Sequence, residues 1–182
     1  MPIFNGNYTI TNFQSHTRVD LDGVLTNKED GARVQGWEPL DSKYDEYKNQ
    51  IWNIVPTTRE GVDSYYIINI GSGTLLEISG GNGTDGTPVT ASSKASDPTP
   101  EYQEWEFVKI KDNYYKVRNL GSGSEWIHTS SVCLYNNTGI GWWLTHENIL
   151  RSSTNGTKIQ GWWGQLDPNE NQLWSFELAK SN

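Results

Sequence analysis

Apolar and polar residues alternate with a period of two in three short segments of the chain. These opening segments are residues 8–12, 65–69 and 115–119, and each reads Tyr-x-Ile/Val-x-Asn. Such alternation is typical of a β-strand with one buried face. No stretch shows a convincing helical period, and residues 41–48 are predicted to form a loop. The pattern therefore predicts an all-β fold.

Each opening segment is followed by a closing segment that contains Gln-x-Trp. The closing segments are residues 49–54, 102–107 and 171–176. Because openings and closings alternate, we predict one domain, residues 1–182, of three imperfect repeats spanning about 6–56, 63–110 and 113–179. The third repeat is longer, and its surplus falls at residues 132–150, to which the sequence assigns no role. The closing tryptophans, Trp52, Trp105 and Trp174, are expected to pack in the core and not to bind a ligand.

The composition limits the partners of the chain. It has 182 residues and a net charge of -8. A strongly acidic protein is repelled by phosphate backbones and by anionic membranes, so we expect neither nucleic-acid binding nor membrane insertion. One cysteine, Cys133, excludes an internal disulfide. With no signal-peptide pattern at its start, the chain is expected to be cytoplasmic, without cofactor or metal ion.

The three openings in phase with three Gln-x-Trp closings resemble those of ricin B-type lectins over nearly the whole chain. The resemblance implies a β-trefoil with pseudo-threefold symmetry. It also implies the binding of glycans that bear galactose or N-acetylgalactosamine. The lack of disulfides is most similar to the cytosolic lectins of mushroom fruiting bodies, which implies a role in fungal defence. If only one repeat binds sugar, a homodimer is expected, because weak single sites need avidity.

The resemblance implies a complete sugar site in the first repeat. Asp20 supplies a carboxylate, Trp37 an aromatic platform with Gln35 nearby, and Asn49 with Gln50 an amide pair. A carboxylate accepts strong hydrogen bonds from hydroxyls, an amide both donates and accepts, and an indole ring covers the apolar face of a pyranose. Gln50 is expected to support Asp20 or the hairpin more than to touch sugar.

The second repeat departs from this pattern. Glu77 stands at the carboxylate position, Ser92 at the platform and Tyr102 at the amide. Without an aromatic platform, hydroxyl contacts compete poorly with water. We therefore do not expect a working site in this repeat.

The third repeat is mixed. It keeps the platform as Trp162 and the amide pair as Asn171 and Gln172, but His128 replaces the carboxylate. Neutral imidazole has one donor and one acceptor, so a modified sugar site is a second hypothesis. A solvated histidine on a strand is the alternative.

Other interpretations of the first-repeat residues stay open. Asp20 alone fits the cap of a turn into Asp22 and Gly23, and Trp37 alone fits a core position. We do not expect an enzyme, because Asp20 and Asp22 are expected to diverge and so form a poor carboxylate pair for glycoside cleavage. The alternative function is a β-trefoil protease inhibitor, or another module that binds proteins through its loops.

Overall fold

The computed structural model describes residues 5–23, 27–57, 63–96, 99–121, 141–146, 154–164 and 172–180. These ranges hold twelve β-strands, four from each successive third of the chain. The predicted all-β fold is confirmed. The strands are β1 (Gly6–Asn12), β2 (Arg18–Leu21), β3 (Ala32–Trp37), β4 (Trp52–Pro56), β5 (Tyr65–Asn69), β6 (Leu75–Ile78), β7 (Thr87–Ser92), β8 (Trp105–Lys111), β9 (Tyr114–Asn119), β10 (Gly141–His146), β11 (Thr157–Gly164) and β12 (Trp174–Leu178).

Six of these strands close into a barrel. β1 pairs with β4 and β12, β5 pairs with β4 and β8, and β9 pairs with β8 and β12, all antiparallel. Each barrel strand therefore has a hydrogen-bonded neighbour on both sides. Closure of this kind removes the unpaired edges at which sheets associate.

The other six strands form three hairpins, β2–β3, β6–β7 and β10–β11. β3, β7 and β11 also pair with one another, which draws the hairpins into a triangular cap. A six-stranded barrel with three such hairpins, one from each repeat, is the β-trefoil that the resemblance implies.

The closing tryptophans lie in the core, as predicted. Trp52, Trp105 and Trp174 are each 0% exposed. The indole N–H of Trp52 donates to the carbonyl oxygen of Val19, and that of Trp105 donates to Leu76, both at 2.9 Å. In both repeats the accepting residue immediately precedes the carboxylate, so the core ring fixes the strand that carries it.

The asparagine that ends each opening segment joins its repeat to the repeat before. The Oδ1 atom of Asn69 accepts hydrogen bonds from the backbone N–H groups of Gly71 and Ser72, which fixes the turn after β5. Its Nδ2 donates to the carbonyl oxygens of Asn49 and Ile51 in the first closing segment. One buried amide thus satisfies backbone groups on both sides of the seam between repeats.

The same arrangement recurs at the other two seams. Asn119 donates to the carbonyl oxygens of Tyr102 and Glu104 in the second closing segment. Asn12 donates to the carbonyl oxygen of Leu173 in the third. The third and first repeats are therefore joined by the same bond as the repeats that follow each other along the chain.

A 3₁₀ helix, Asp45–Gln50, lies just before β4, so the prediction of a loop over residues 41–48 was wrong at its C-terminal end. Two shorter 3₁₀ helices are Ser79–Gly81 and Glu101–Gln103. 3₁₀ helices of three to six residues are too short to show an apolar period, which is why the pattern missed them. Within the described ranges, no helix is long and apolar enough to span a membrane.

Candidate functional site

A pocket of about 530 Å³ opens beside the β2–β3 hairpin. Three segments build its wall, and four of the five side chains predicted for the first-repeat site lie in it. β2 and the turn after it supply Asp20, Asp22 and Gly23, β3 supplies Gln35 and Trp37, and the segment before β4 supplies Leu40, Tyr44, Glu46 and Asn49.

Asp20 is positioned by the pairing of β2 with β3. It lies opposite Gln35 in the register of the hairpin, and Gln35 Nε2 donates to Asp20 Oδ1 at 3.2 Å. Asp20 is only 5% exposed. Its carboxylate is thus held from across the hairpin and lies within a strand, which does not fit the alternative in which it caps a turn.

The surroundings of Asp20 change its acidity. Burial raises the pKa of its carboxyl group from 3.8 to about 6, hydrogen bonding by the amides of Gln35 and Gln50 opposes that rise, and the charge of Asp22 adds to it. At neutral pH the group is ionised but poorly solvated, so it gains from a ligand that donates hydrogen bonds to it. A carboxyl perturbed in this way inside a pocket is a candidate functional group.

The expectation that Asp20 and Asp22 diverge was wrong. Both line the pocket, and Gln35 Nε2 donates to Asp22 Oδ1 at 3.3 Å as well as to Asp20. Residues two apart along a strand lie on the same face, and this pair keeps that relation into the turn. The two carboxylates therefore lie side by side and share one donor.

Trp37 is the last residue of β3 and is partly exposed in the pocket wall. It does not belong to the buried core cluster, so the alternative of a core position does not apply. Arg18 lies opposite it in the hairpin register, and the Arg18 guanidinium donates to the carbonyl oxygen of Leu40 at 3.3 Å. That bond fixes the chain that leaves β3 and forms another part of the pocket wall.

Asn49 lies in the 3₁₀ helix and is 5% exposed. Its Nδ2 donates to the carbonyl oxygen of Gly23 at 3.0 Å, which settles which way the amide faces, since the flipped amide would set two oxygens against each other. Its Oδ1 is buried and has no hydrogen-bond partner among the residues that the structure describes. A buried acceptor of this kind is costly unless a ligand or water satisfies it.

Gln50 lies behind the pocket and not in its wall. It is 0% exposed, its Nε2 donates to the carbonyl oxygen of Glu38 at 2.9 Å, and its Oε1 accepts from the backbone N–H of Leu40 at 3.0 Å. Gln103 holds the chain after β7 in the same way. The glutamine of each of these two closing segments thus fixes the chain just after the strand that carries the platform position. For Gln50 this is the supporting role that the sequence predicts.

Sequence reasoning missed Tyr44 and Glu46, which line the pocket from the segment that enters the 3₁₀ helix. Tyr44 is 52% exposed although it is a large aromatic residue. The signal available was a Tyr and an acidic residue in a loop directly before the amide pair. Three carboxylates now line one pocket, but no group of His, Cys, Asp or Glu in the described part of the chain is placed to hold a metal ion.

In the second repeat the carboxylate is already occupied by protein donors. Glu77 is buried, and its oxygens accept hydrogen bonds from Ser92 at 2.7 Å, Thr90 at 3.3 Å and Gln103 at 2.7 Å. Ser92, which stands at the platform position, therefore donates its hydroxyl hydrogen to the Glu77 carboxylate. That the second repeat has no working site stays a prediction.

Most of the predicted third-repeat site falls outside the described residues. His128 and Asn171 lie outside them, and for Trp162 the structure gives the backbone, which pairs with Trp143 between β11 and β10. Gln172 is buried and accepts a hydrogen bond from the buried Lys116 at 3.1 Å. The hypothesis of a modified third site stays a prediction.

Comparison with known proteins finds a family that the sequence of the chain matches. The family described as ricin-type beta-trefoil lectin domain-like matches residues 2–92 and 48–143. No curated protein sequence matches the chain.

Solved structures share the fold at low identity. A designed threefold-symmetric protein, ThreeFoil, has 22% identity and a TM-score of 0.69, covering 94% of this chain and 98% of that one. The ricin B-like lectin of Macrolepiota procera, solved with lactose, has 22% identity and a TM-score of 0.65, covering 98% and 100%. An exo-beta-1,3-galactanase from Clostridium thermocellum has 23% identity and a TM-score of 0.67, but 98% of this chain spans only 31% of that one.

Proposed function

The chain belongs to the ricin-type β-trefoil lectin domain-like family, and from that premise we propose that it is a lectin whose main sugar site is the first-repeat pocket. One observation carries the proposal: a buried carboxylate (Asp20), an aromatic side chain (Trp37) and a buried acceptor without a partner (Asn49) line the same pocket. Sugar hydroxyls supply donors to both kinds of oxygen, and the apolar face of a pyranose packs on an indole ring.

The specificity that we propose is for glycans bearing galactose or N-acetylgalactosamine. It is supported by the resemblance in the first repeat and by the similarity to a mushroom lectin solved with lactose. Cytoplasmic location and a role in fungal defence stay predictions of that resemblance.

In this proposal the protein binds glycans and does not cleave them. Glycoside hydrolases place two carboxyl groups on either side of the scissile bond. Asp20 and Asp22 instead lie side by side and share the Gln35 amide. The similar galactanase is a much longer chain, so its activity is not carried over.

A single shallow site of this kind binds a monosaccharide weakly, and a millimolar dissociation constant corresponds to about -4 kcal/mol. Useful binding to a glycosylated surface then needs several sites on one particle. The occupied carboxylate of the second repeat lowers the number of sites per chain. A homodimer that presents two first-repeat pockets is therefore part of the proposal.

The test is calorimetric titration with lactose of the wild type and of Asp20→Asn and Trp37→Ala. We expect each variant to lose at least about tenfold in affinity, since a charge-assisted hydrogen bond or an aromatic platform is worth about 1.4 kcal/mol or more here. Asp45→Asn is the matched control, because Asp45 is exposed on the same 3₁₀ helix, pairs with Lys48 and does not line the pocket.

Two results would contradict the proposal. Lactose affinity that is unchanged in both Asp20→Asn and Trp37→Ala would remove the first-repeat pocket as the site. No glycan binding on an array at high protein concentration, together with tight inhibition of a protease panel, would favour the loop-mediated protein-binding alternative.

A further inference from the structure

The residues that line the first-repeat pocket are rich in hydrogen-bond acceptors. Three carboxylates line it, those of Asp20, Asp22 and Glu46. Asn49 adds a carbonyl oxygen that is buried and without a partner. The amide of Asn49 cannot be turned to offer a donor instead, because its Nδ2 is committed to the carbonyl oxygen of Gly23.

The side-chain amide that faces these carboxylates has no donor left for a ligand. Gln35 Nε2 carries two hydrogens, and it donates one bond to Asp20 and one to Asp22. The remaining side-chain donors in the wall are the second hydrogen of Asn49 Nδ2, the indole N–H of Trp37 and the hydroxyl of Tyr44, which also accepts. A ligand in this pocket must therefore bring most of the donors itself.

The cationic side chains Arg18, Lys43 and Lys48 lie near the pocket but do not line it. The Arg18 guanidinium donates through Nη1 to the carbonyl oxygen of Leu40 and lies 5.9 Å from the centre of the Tyr47 ring, while its Nε is buried without a hydrogen-bond partner among the described residues. Lys43 pairs with Asp41 and Lys48 pairs with Asp45, each at 3.4 Å, and neither lysine lines the pocket. None of these three side chains therefore forms an ion pair with Asp20, Asp22 or Glu46.

Resting on the proposed sugar-binding function, we propose that the first-repeat pocket ranks sugars by charge: amino sugars with a free ammonium group bind more tightly than neutral sugars, and sugar carboxylates bind more weakly. An ammonium group has three donors and a positive charge, so it matches both the unpartnered Asn49 oxygen and the carboxylates. N-acetylation removes the charge and leaves one N–H. The carboxylate of a uronate is repelled by the three carboxylates of the pocket wall. It also replaces the hydroxyl on carbon 6, so that one hydrogen-bond donor is lost.

The experiment is a titration followed by protein NMR with matched ligands at pH 7. In the first series the ring is that of methyl β-galactoside, and carbon 6 carries the hydroxyl, an amino group or a carboxylate. In the second series carbon 2 carries the hydroxyl, an amino group or an acetamido group. The side-chain NH₂ signals of Asn49 and Gln35 and the indole signal of Trp37 report whether the ligand occupies this pocket.

We expect at least one of the two amino sugars to bind about three to ten times more tightly than methyl β-galactoside, and the uronate at least about ten times more weakly. The range follows from pairs of charges that are partly exposed to water. The advantage of the ammonium group is expected to shrink as salt is raised from low to 0.5 M, since screening weakens charge pairs and leaves neutral hydrogen bonds nearly unchanged.

A variant separates charge preference from sugar binding in general. Glu46→Gln keeps the size of the side chain, removes one negative charge and exchanges one acceptor oxygen for an NH₂ donor. The ratio of amino-sugar to galactoside affinity is therefore expected to fall about twofold or more. Glu177→Gln makes the same chemical change on β12, at an exposed position outside the pocket, and is expected to leave that ratio unchanged.

The outcomes are distinguishable. Suppose that methyl β-galactoside binds in the pocket. If neither amino sugar then binds more tightly than it, or if the uronate binds as tightly as it, the charge ranking is overturned and the lectin proposal stands. If no sugar of either series shifts the pocket signals, the proposed function itself is overturned. An ammonium preference that survives 0.5 M salt, or that Glu46→Gln and Glu177→Gln reduce equally, also overturns the charge ranking.

Discussion

The indole N–H of Trp52 donates to the carbonyl oxygen of Val19 at 2.9 Å, and Val19 is the residue immediately before Asp20. The tryptophan that the repeat places in the core therefore fixes the backbone beside the candidate sugar-binding carboxylate. Stability and site geometry are coupled at this one bond.

Replacing Trp52 with Phe is expected to destabilise the protein by about 2–4 kcal/mol. The change leaves a buried carbonyl oxygen without its donor and removes part of a fully buried ring. Denaturant unfolding measures the loss. Trp37→Phe is the matched control, and because Trp37 is partly exposed it should cost less than about 1 kcal/mol. Equal losses in the two variants would mean that the core bond of Trp52 contributes little.

Asn69→Ala is expected to cost about 2–4 kcal/mol of unfolding free energy. It removes buried hydrogen bonds to the turn after β5 and to the first closing segment, and it leaves their backbone groups without a partner. Thermal and denaturant unfolding check the result against Asn7→Ala, an exposed asparagine on β1. A loss as small as that of Asn7→Ala would show that the seam does not depend on its asparagine.

The stability of the sugar-free protein is expected to fall as the pH rises from about 4 to about 6, relative to Asp20→Asn. Burial raises the pKa of Asp20 to about 6, so the folded protein holds this proton more tightly than the unfolded chain does. The contribution is fully present below pH 3.8 and is lost as the pH passes 6; it amounts to at most about 3 kcal/mol. Unfolding of both proteins at several pH values measures the difference, and a difference that does not vary with pH contradicts the assignment.

Galactoside affinity is expected to weaken as the pH falls below about 6. Sugar hydroxyls donate to the ionised form of Asp20, and at pH 5 only about one tenth of this group is ionised if its pKa is about 6. Lactose titrations at pH 7.5, 6 and 5 should show a loss of about fivefold between pH 6 and pH 5 and of about tenfold over the whole range. Asp20→Asn should show weak binding with no such slope, whereas Asp45→Asn should keep the wild-type slope. A wild-type affinity that is flat over this range would mean that Asp20 does not accept bonds from the sugar.

The repeat made most of the fold predictable, and it did so through particular residues. Ile10, Ile67 and Val117 hold the same place in the three opening segments and are all fully buried, as expected for a strand with one buried face. The positions of Asp20 and Trp37 followed from the first-repeat motif. The seam bonds of Asn12, Asn69 and Asn119 were not predicted, because a repeated asparagine gives its position but not its partners on another repeat.

The other residues of the pocket could not be predicted from the sequence, for a physical reason. Tyr44 and Glu46 reach it only because the chain forms a 3₁₀ helix before β4, and a helix of six residues is too short to leave a periodic pattern. Asp22 was misplaced because alternation was taken to put residues two apart on opposite faces, whereas on a strand they share one face. The Glu77 carboxylate accepts hydrogen bonds from Ser92 and Gln103. These bonds depend on side-chain packing, which the spacing of residues along the sequence does not give.

The seam at Asn12 has a consequence for the order of the chain. Asn12 binds the carbonyl oxygen of Leu173 as Asn69 and Asn119 bind their own closing segments, and β1 pairs with β12 along five residues. The barrel is thus a ring with three chemically similar junctions, only two of which the chain passes through. A circular permutant that joins residue 180 to residue 6 by a short linker, and opens the chain between β4 and β5, exchanges one junction for another and keeps the first-repeat pocket whole.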